Sequence, residues 1–151
     1  MNILFLDLAF KYALKSFYLN EVPIGAVIVK DGKVISYGYN TKELSHSVFG
    51  HAEIMAIKDA ELKLKNWRLD GCDIYVTLDP CPMCASAIKQ SRLNNVYSAL
   101  NNADKQNYKI ISDIFKSDST NSKVNFTSNL DINRSKKLLQ DFFKKNRNIN
   151  K

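Results

Sequence analysis

The sequence predicts an α/β fold in which a layered sheet lies between helices, and two patterns indicate it. Two strand-like runs, residues 24–30 and 33–39, are joined by Asp31-Gly32, a dipeptide suited to the positive-φ positions of a tight hairpin turn. Strand-like and helical segments then alternate over residues 73–100. A strand, a helix and a strand in succession favour a parallel crossover, which is typical of α/β sheets.

The other elements follow from residue spacing. Apolar residues at helical spacing predict a helix over 51–64, so His51 and Glu53 fall in its first turn. The alternating segment divides into a strand over 73–78, a helix over 81–90 and a strand over 93–100. Residues 101–133 predict only a short helix and a last strand, and a Lys-rich helix is expected over 134–147.

Length and composition bound the kind of protein. A chain of 151 residues suits one domain, so we expect a single domain over 1–151. Charged residues interrupt the apolar first seventeen residues, which therefore predict a buried amphipathic helix rather than a secretion signal. No apolar run is long enough to cross a bilayer, so we expect no membrane association. Three cysteines, two of them in a C-x-x-C pair, favour metal binding in a reducing compartment, and we expect the cytoplasm.

Two short motifs carry the chemistry: His51-Ala52-Glu53 and Pro80-Cys81-Pro82-Met83-Cys84. His51, Cys81 and Cys84 make three metal ligands, and catalytic zinc keeps three protein ligands and one open position. If a helix begins at Pro80, both sulfurs lie on one face near helix N–H groups that favour thiolate. Glu53 would fill the open position as a ligand, so we assign it proton transfer instead.

Two other interpretations of the cysteine pair remain open. A structural zinc site could recruit Cys72 or His46 as a fourth ligand. The pair could also be a redox C-x-x-C. The nearby Glu53 disfavours both, and we expect Cys72 to be a small core residue and His46 to be solvated.

Positive charge is concentrated at the C-terminus. The net charge is +7, and residues 134–151 hold seven Lys or Arg against one Asp, which gives +6. Such a segment is expected to bind a polyanion such as RNA, although a solvated helix face explains the charge equally well.

The chain resembles known deaminases. H-x-E paired with P-C-x-x-C is a signature of zinc-dependent nucleobase deaminases. Further segments are similar to the bacterial tRNA adenosine deaminases, which convert the wobble adenosine of tRNA to inosine. The similar segments are Glu21-Val22-Pro23-Ile24-Gly25-Ala26-Val27, Tyr39-Asn40, His51-Ala52-Glu53-Ile54-Met55-Ala56, Asn66-Trp67-Arg68-Leu69, Tyr75-Val76-Thr77-Leu78-Asp79-Pro80-Cys81 and Asp141-Phe142-Phe143.

This resemblance implies that the protein is a hydrolase, and it also implies which residues form the active site and which fold holds them. It implies zinc ligation by His51, Cys81 and Cys84, proton transfer by catalytic Glu53, and substrate contacts from the Asn40 side chain and the Ala52 backbone. The implied fold is the three-layer αβα, cytidine-deaminase-like arrangement with a five-stranded mixed sheet. The implied partners are the tRNA anticodon loop and a second copy of the chain in a homodimer. Three aromatic residues are expected to be buried in the core: Trp67, Phe142 and Phe143. Base stacking with RNA is the second interpretation for Phe142 and Phe143.

The chain departs from the family pattern at three places. A Gly-rich loop is replaced by the glycine-free residues 102–109, an Asp-Pro by Ser47-Val48, and a Glu by Asp79. These differences leave two rival functions open: deamination of guanine or another free base or nucleoside, and a noncatalytic zinc-bearing RNA-binding subunit. Glu53 argues against the second, and the basic C-terminal segment favours tRNA over the first.

Overall fold

The computed structural model describes residues 1–102 and 104–149; Ala103, within the glycine-free segment, and the last two residues lie outside the described residues. The described part contains five helices and five strands in the order α1 (Ile3–Tyr18), β1 (Gly25–Lys30), β2 (Lys33–Tyr39), α2 (Ala52–Leu64), β3 (Cys72–Val76), α3 (Pro82–Gln90), β4 (Asn95–Ser98), α4 (Lys105–Lys116), β5 (Asn125–Thr127) and α5 (Ile132–Ile149). In these residues no helix is long and apolar enough to span a membrane.

The strands form one mixed sheet in the order β2-β1-β3-β4-β5. Strand β1 is antiparallel to both β2 and β3, whereas β3, β4 and β5 run parallel. The predicted hairpin is confirmed, because Asp31 and Gly32 have φ values of 50° and 74°. The predicted crossover is confirmed as well, since α3 connects the parallel strands β3 and β4.

Helices cover both faces of the sheet and bury two separate cores. On one face α2, α3 and α4 pack against alternate strand residues such as Ala26 and Ile74. On the other face α1 and α5 pack against the intervening residues, such as Val27 and Tyr75. Burial on both faces explains why β1, inside the sheet, is apolar at every position except Lys30, and it confirms the three-layer arrangement.

The poorly patterned residues 101–133 contain the expected short helix and last strand, α4 and β5. Asp104 caps α4, because its carboxylate accepts the Gln106 N–H at 2.9 Å. None of the described residues between 101 and 109 has a positive φ. The segment that lacks the family's glycines therefore forms the start of a helix, which needs no glycine.

Two of the aromatic core predictions are wrong. Trp67 is 56% exposed and Phe143 is 50% exposed, whereas Phe142 is buried as expected. Trp67 lies beyond the end of α2, where the guanidinium groups of Arg68 and Arg92 lie 5.5 and 5.4 Å from its ring. Neighbouring side chains partly cover the rings of Trp67 and Phe143, which lie outside the cores.

Gly38 in β2 allows α2 to approach the sheet closely. A Cβ atom at this position would collide with the carbonyl oxygen of Ala52 and would lie 2.8 Å from the amide nitrogen of Ala56. The neighbouring Ser36 hydroxyl donates to the Ala56 carbonyl at 2.7 Å. The first turn of α2, which carries His51 and Glu53, is thus held directly against the strand.

Substituting Gly38→Ala should therefore destabilise the protein and displace that first turn. We expect the free energy of unfolding in urea to fall by about 1–3 kcal/mol, the usual cost of overpacking a core. Zinc content should fall with it. Lys33→Ala, at the exposed start of the same strand, is the control and should match the wild type. Wild-type stability and zinc content in Gly38→Ala would show that the close approach is unimportant.

Candidate active site

The N-termini of two helices meet at the predicted site. His51 is the N-cap residue of α2 and Cys81 is the N-cap residue of α3. The expectation that the second helix begins at Pro80 is wrong, because α3 begins at Pro82. Proline is favoured at the first helical position, where its missing N–H costs no hydrogen bond. Cys84 is then the third residue of α3, so both sulfurs still lie at the positive end of the helix.

The three predicted ligand residues have converged. The Nδ1 atom of His51 lies 3.7 Å from Cys81 Sγ and 3.5 Å from Cys84 Sγ. The ligand atoms of all three residues lie within 4.8 Å of one another. Zinc binds imidazole nitrogen at about 2.0–2.1 Å and thiolate sulfur at about 2.3 Å, and at a tetrahedral angle such atoms are about 3.6 Å apart. The spacing therefore fits one tetrahedral zinc ion.

No fourth ligand of the kind considered above joins this group. Among the described residues the group consists of His51, Cys81 and Cys84. Cys72 is buried at the start of β3, as expected of a core residue, and His46 is exposed in the loop before α2. Three protein ligands are characteristic of a catalytic zinc site.

The two sulfurs differ in their affinity for a proton. A hydrogen bond from the Cys84 thiol and backbone N–H groups of the α3 first turn lower the pKa of Cys81 to about 5. The same shared hydrogen bond, together with burial, raises the pKa of Cys84. Cys81 is thus a thiolate at neutral pH, which is the form that binds a metal.

Glu53 is buried beside the ligands. Its Oε2 atom lies 3.6 Å from Cys84 Sγ. Burial raises the pKa of Glu53 to about 7, since removal from water disfavours the charged form. A carboxyl group in this environment can both accept and release protons near neutral pH.

A cavity of about 180 Å³ opens onto this carboxyl group. The four predicted residues Asn40, His51, Ala52 and Glu53 line it, together with Val22, Ile24 and Lys42. Pockets that enclose a whole drug-sized molecule measure about 300–1,000 Å³, so this cavity suits a single base. The structure thus brings one predicted metal ligand, the proton-transfer residue and both predicted substrate residues to one cavity, and the two cysteine ligands lie next to His51.

The Asn40 side chain has a fixed orientation in this cavity. Its Nδ2 donates to the Val22 carbonyl at 3.1 Å, and its Oδ1 accepts the Lys42 N–H at 3.0 Å. One amide hydrogen and one oxygen lone pair are left over for a ligand. The contact with the Lys42 N–H is the one that asparagine makes in a turn, and the same side chain also lines the cavity.

Two residues that sequence reasoning missed support the segments around the cavity. The Ser16 hydroxyl donates to the Asn40 carbonyl at 2.8 Å. The buried Glu21 carboxylate accepts the N–H groups of Glu43 and Leu44, at 3.3 and 2.7 Å, in the loop before α2. Glu21 belongs to a segment that the family resemblance singled out, but nothing in the sequence indicates its partners.

The remaining departures from the family pattern have local substitutes. The Ser47 hydroxyl accepts the Phe49 N–H at 3.1 Å, a turn that serine and aspartate both form. Asp79 is buried, which raises its pKa, and it accepts a hydrogen bond from the Ser128 hydroxyl at 2.6 Å. Asp79 therefore connects the segment before Cys81 to the segment that leads into α5.

The basic helix α5 lies next to this segment. The N–H of Asp79 donates to the Leu100 carbonyl at 2.8 Å. Leu100 also lines an open groove of about 440 Å³ with α5 residues that include Lys136, Leu139, Phe143 and Arg147. The predicted helix over 134–147 is confirmed within the longer α5, and its basic residues border a groove that includes Leu100, the hydrogen-bond partner of Asp79.

The sequence and the fold are similar to those of known proteins. The family model described as MafB19-like deaminase matches residues 6–147. A tRNA-specific adenosine deaminase of Aquifex aeolicus is 40% identical over 147 residues, which are 95% of each chain. A solved structure of a tRNA:A34 deaminase that performs A-to-I editing at the wobble position has a TM-score of 0.83 and 33% identity, over 91% of this chain and all of that one. A guanine deaminase from Bacillus subtilis has a TM-score of 0.66 and 37% identity, over 73% and 71% of the two chains.

The geometry predicts the metal content of ligand variants. The purified wild type should hold about one zinc ion per chain, and His51→Ala, Cys81→Ser and Cys84→Ser should each hold little, because the site has three protein ligands. Cys72→Ala and His46→Ala are the controls and should keep the metal. The measurement is elemental analysis after dialysis, and loss of zinc from either control would contradict the assigned ligand set.

Proposed function

The chain belongs to the tRNA-specific adenosine deaminases within the MafB19-like deaminase family, and on that basis we propose that it converts the wobble adenosine of a tRNA to inosine with release of ammonia. The observation that best supports this reaction is the buried carboxyl group of Glu53, which lies at a base-sized cavity next to three converging ligand residues. The likeness to a tRNA:A34 deaminase over 91% of this chain supports the same substrate.

We propose zinc as the metal, held by His51 Nδ1 and by the sulfurs of Cys81 and Cys84. Two thiolates and a neutral imidazole balance the charge of the ion. When bound, zinc supplies a Lewis acid that makes water a nucleophile at neutral pH. The N-terminus of α3 stabilises the Cys81 thiolate, and metal binding would displace the proton of Cys84, whose pKa is raised by burial and by its hydrogen bond to Cys81.

Glu53 carries the protons of the reaction. Its carboxylate takes a proton from the water that attacks C6 of adenine and delivers it to N1. It then takes the remaining proton of the oxygen now bonded to C6 and delivers it to the amino group, which leaves as ammonia as the bond from C6 to that nitrogen breaks. Because it is buried, the group exchanges these protons with the substrate rather than with bulk water.

Asn40 and Ala52 orient the base. The free amide hydrogen and the free oxygen lone pair of Asn40 can bind the polar edge of the purine. The N–H of Ala52, in the first turn of α2, has no acceptor within the helix and can donate to the same base. The base must leave its stack to reach them, which an anticodon loop permits more readily than a duplex does.

The surroundings of the cavity suit RNA and a second copy of the chain. The basic residues of α5 border the groove beside Leu100, where they can bind phosphates of the anticodon stem and loop. We also propose a homodimer. The loop between Lys42 and His51 exposes three apolar side chains, Leu44, Val48 and Phe49, which a second copy would cover.

Glu53→Gln should abolish turnover while leaving zinc bound. The amide keeps the shape of the side chain but cannot carry a proton, so we expect kcat to fall by at least about 10²-fold. The measurements are initial rates on tRNA and zinc content by elemental analysis. Retained activity, or loss of the metal together with activity, would contradict the assigned role.

Substrate choice can be tested with a panel. We expect the protein to deaminate an arginine tRNA that has adenosine at the wobble position, and to leave the same transcript with cytidine there unchanged. Free guanine, adenosine and cytosine should release no ammonia in parallel reactions. Conversion of guanine but not tRNA would establish the guanine deaminase alternative, and tight RNA binding without turnover would establish a noncatalytic subunit.

A further inference from the structure

Four aromatic rings form a continuous row between the end of α1 and the C-terminal half of α5. Tyr18 contacts Phe17 with ring centroids 5.6 Å apart, Phe17 contacts Phe142 at 6.1 Å, and Phe142 contacts Phe143 at 5.4 Å. All three contacts are edge-to-face, with interplanar angles of 81°, 66° and 74°. These are favourable aromatic geometries, and we call this row the aromatic ladder.

Both ends of the aromatic ladder face solvent. Phe142 is only 6% exposed and joins α5 to α1, which explains its place in the fold. Tyr18 is 77% exposed at the last residue of α1, and Phe143 is 50% exposed. Packing of the two helices requires neither end, so an exposed Tyr18 ring is left without a structural role.

Positive charge accompanies the aromatic ladder. The Nζ atom of Lys145 lies 5.1 Å from the centre of the Phe17 ring. Lys144 and Arg147 belong to the same turn of α5 and are exposed. Aromatic rings beside cationic side chains are the usual surface for single-stranded nucleic acid, where bases stack and phosphates pair with the cations. A second copy of this chain would bring the same positive charge and is disfavoured here.

The aromatic ladder is connected to the substrate cavity. Ser16, two residues before Tyr18, donates to the carbonyl of the cavity residue Asn40. Lys15 lies 4.7 Å from the ring of Tyr39, the residue before Asn40. At the opposite end, Phe143 lines the groove beside Leu100. The aromatic ladder thus extends from the helix that contacts the cavity residue Asn40 to the groove beside Leu100.

We propose that Tyr18 is a base-stacking residue for an unpaired nucleotide that flanks the edited adenosine. The proposal rests on the proposed function, because it takes the RNA loop as the ligand. The flanking base lies on the exposed Tyr18 ring while the adenosine occupies the cavity at Glu53. Tyr18 thus contributes to RNA binding and contributes nothing to the chemical step.

Steady-state kinetics on an anticodon stem-loop test this directly. Tyr18→Ala should raise KM at least about fivefold with kcat unchanged, since stacking on an aromatic side chain is worth at least about fivefold in affinity. Tyr18→Phe should keep the wild-type KM because it keeps the ring. Trp67→Ala is the matched control, because it removes an exposed ring flanked by cations at the far end of α2, and it should have no effect.

A fluorescent base locates the contact. In the Glu53→Gln background, two stem-loops are compared, with 2-aminopurine on one side or the other of the wobble position. Stacking should quench the fluorescence of one of them on binding, and adding Tyr18→Ala should remove that quenching. If the wild type edits tRNA and Tyr18→Ala has a KM within twofold of it, the proposal is wrong. A change in sedimentation of Tyr18→Ala without a change in KM would assign the ring to self-association and also overturn it. Failure of the wild type to edit any tRNA would instead refute the proposed function.

Discussion

The site depends on the meeting of two helix N-termini at one edge of the sheet. Helix α2 reaches this point because Gly38 has no side chain and lets the Ala52 carbonyl lie against β2. Helix α3 reaches it because the crossover between the parallel strands β3 and β4 places its first turn beside β3. Once the two ends meet, His51, Cys81 and Cys84 are within one metal ion's reach, and Glu53 follows on the next half turn.

This constraint also explains the chemical character of the site. Both helix ends present N–H groups and positive partial charge, which stabilise thiolates and leave the Ala52 N–H free for a ligand. The same close packing buries Glu53 and raises its pKa to about 7, so the carboxyl group can move protons in both directions. Asn40 and Lys42 line the cavity beside this carboxyl group, and basic residues of α5 border a separate groove beside Leu100.

Much of this arrangement is predictable from the sequence, and the exceptions have physical causes. The motifs at His51 and Cys81 identify the three converging ligand residues and the neighbouring Glu53, because the spacing within each motif is local. The hairpin turn is equally local, since Asp31 and Gly32 must adopt positive φ. Helical spacing alone predicted that Phe143 is buried. The exposure of a side chain depends on tertiary packing, and of the two neighbouring rings only Phe142 contacts α1. The closeness of α2 to Gly38 could have been suspected from a glycine inside a strand, which often marks a close backbone approach.

The central claim is that three protein side chains hold the metal while Glu53 remains free to transfer protons. The most direct measurement is a crystal structure of the zinc-loaded protein with anomalous data collected at the zinc absorption edge. We expect one zinc peak, about 2.0–2.1 Å from His51 Nδ1 and about 2.3 Å from each of the sulfurs of Cys81 and Cys84, with the Glu53 carboxylate outside bonding distance. A Glu53 oxygen about 2.0–2.2 Å from the peak, or a peak at other residues, would contradict the account.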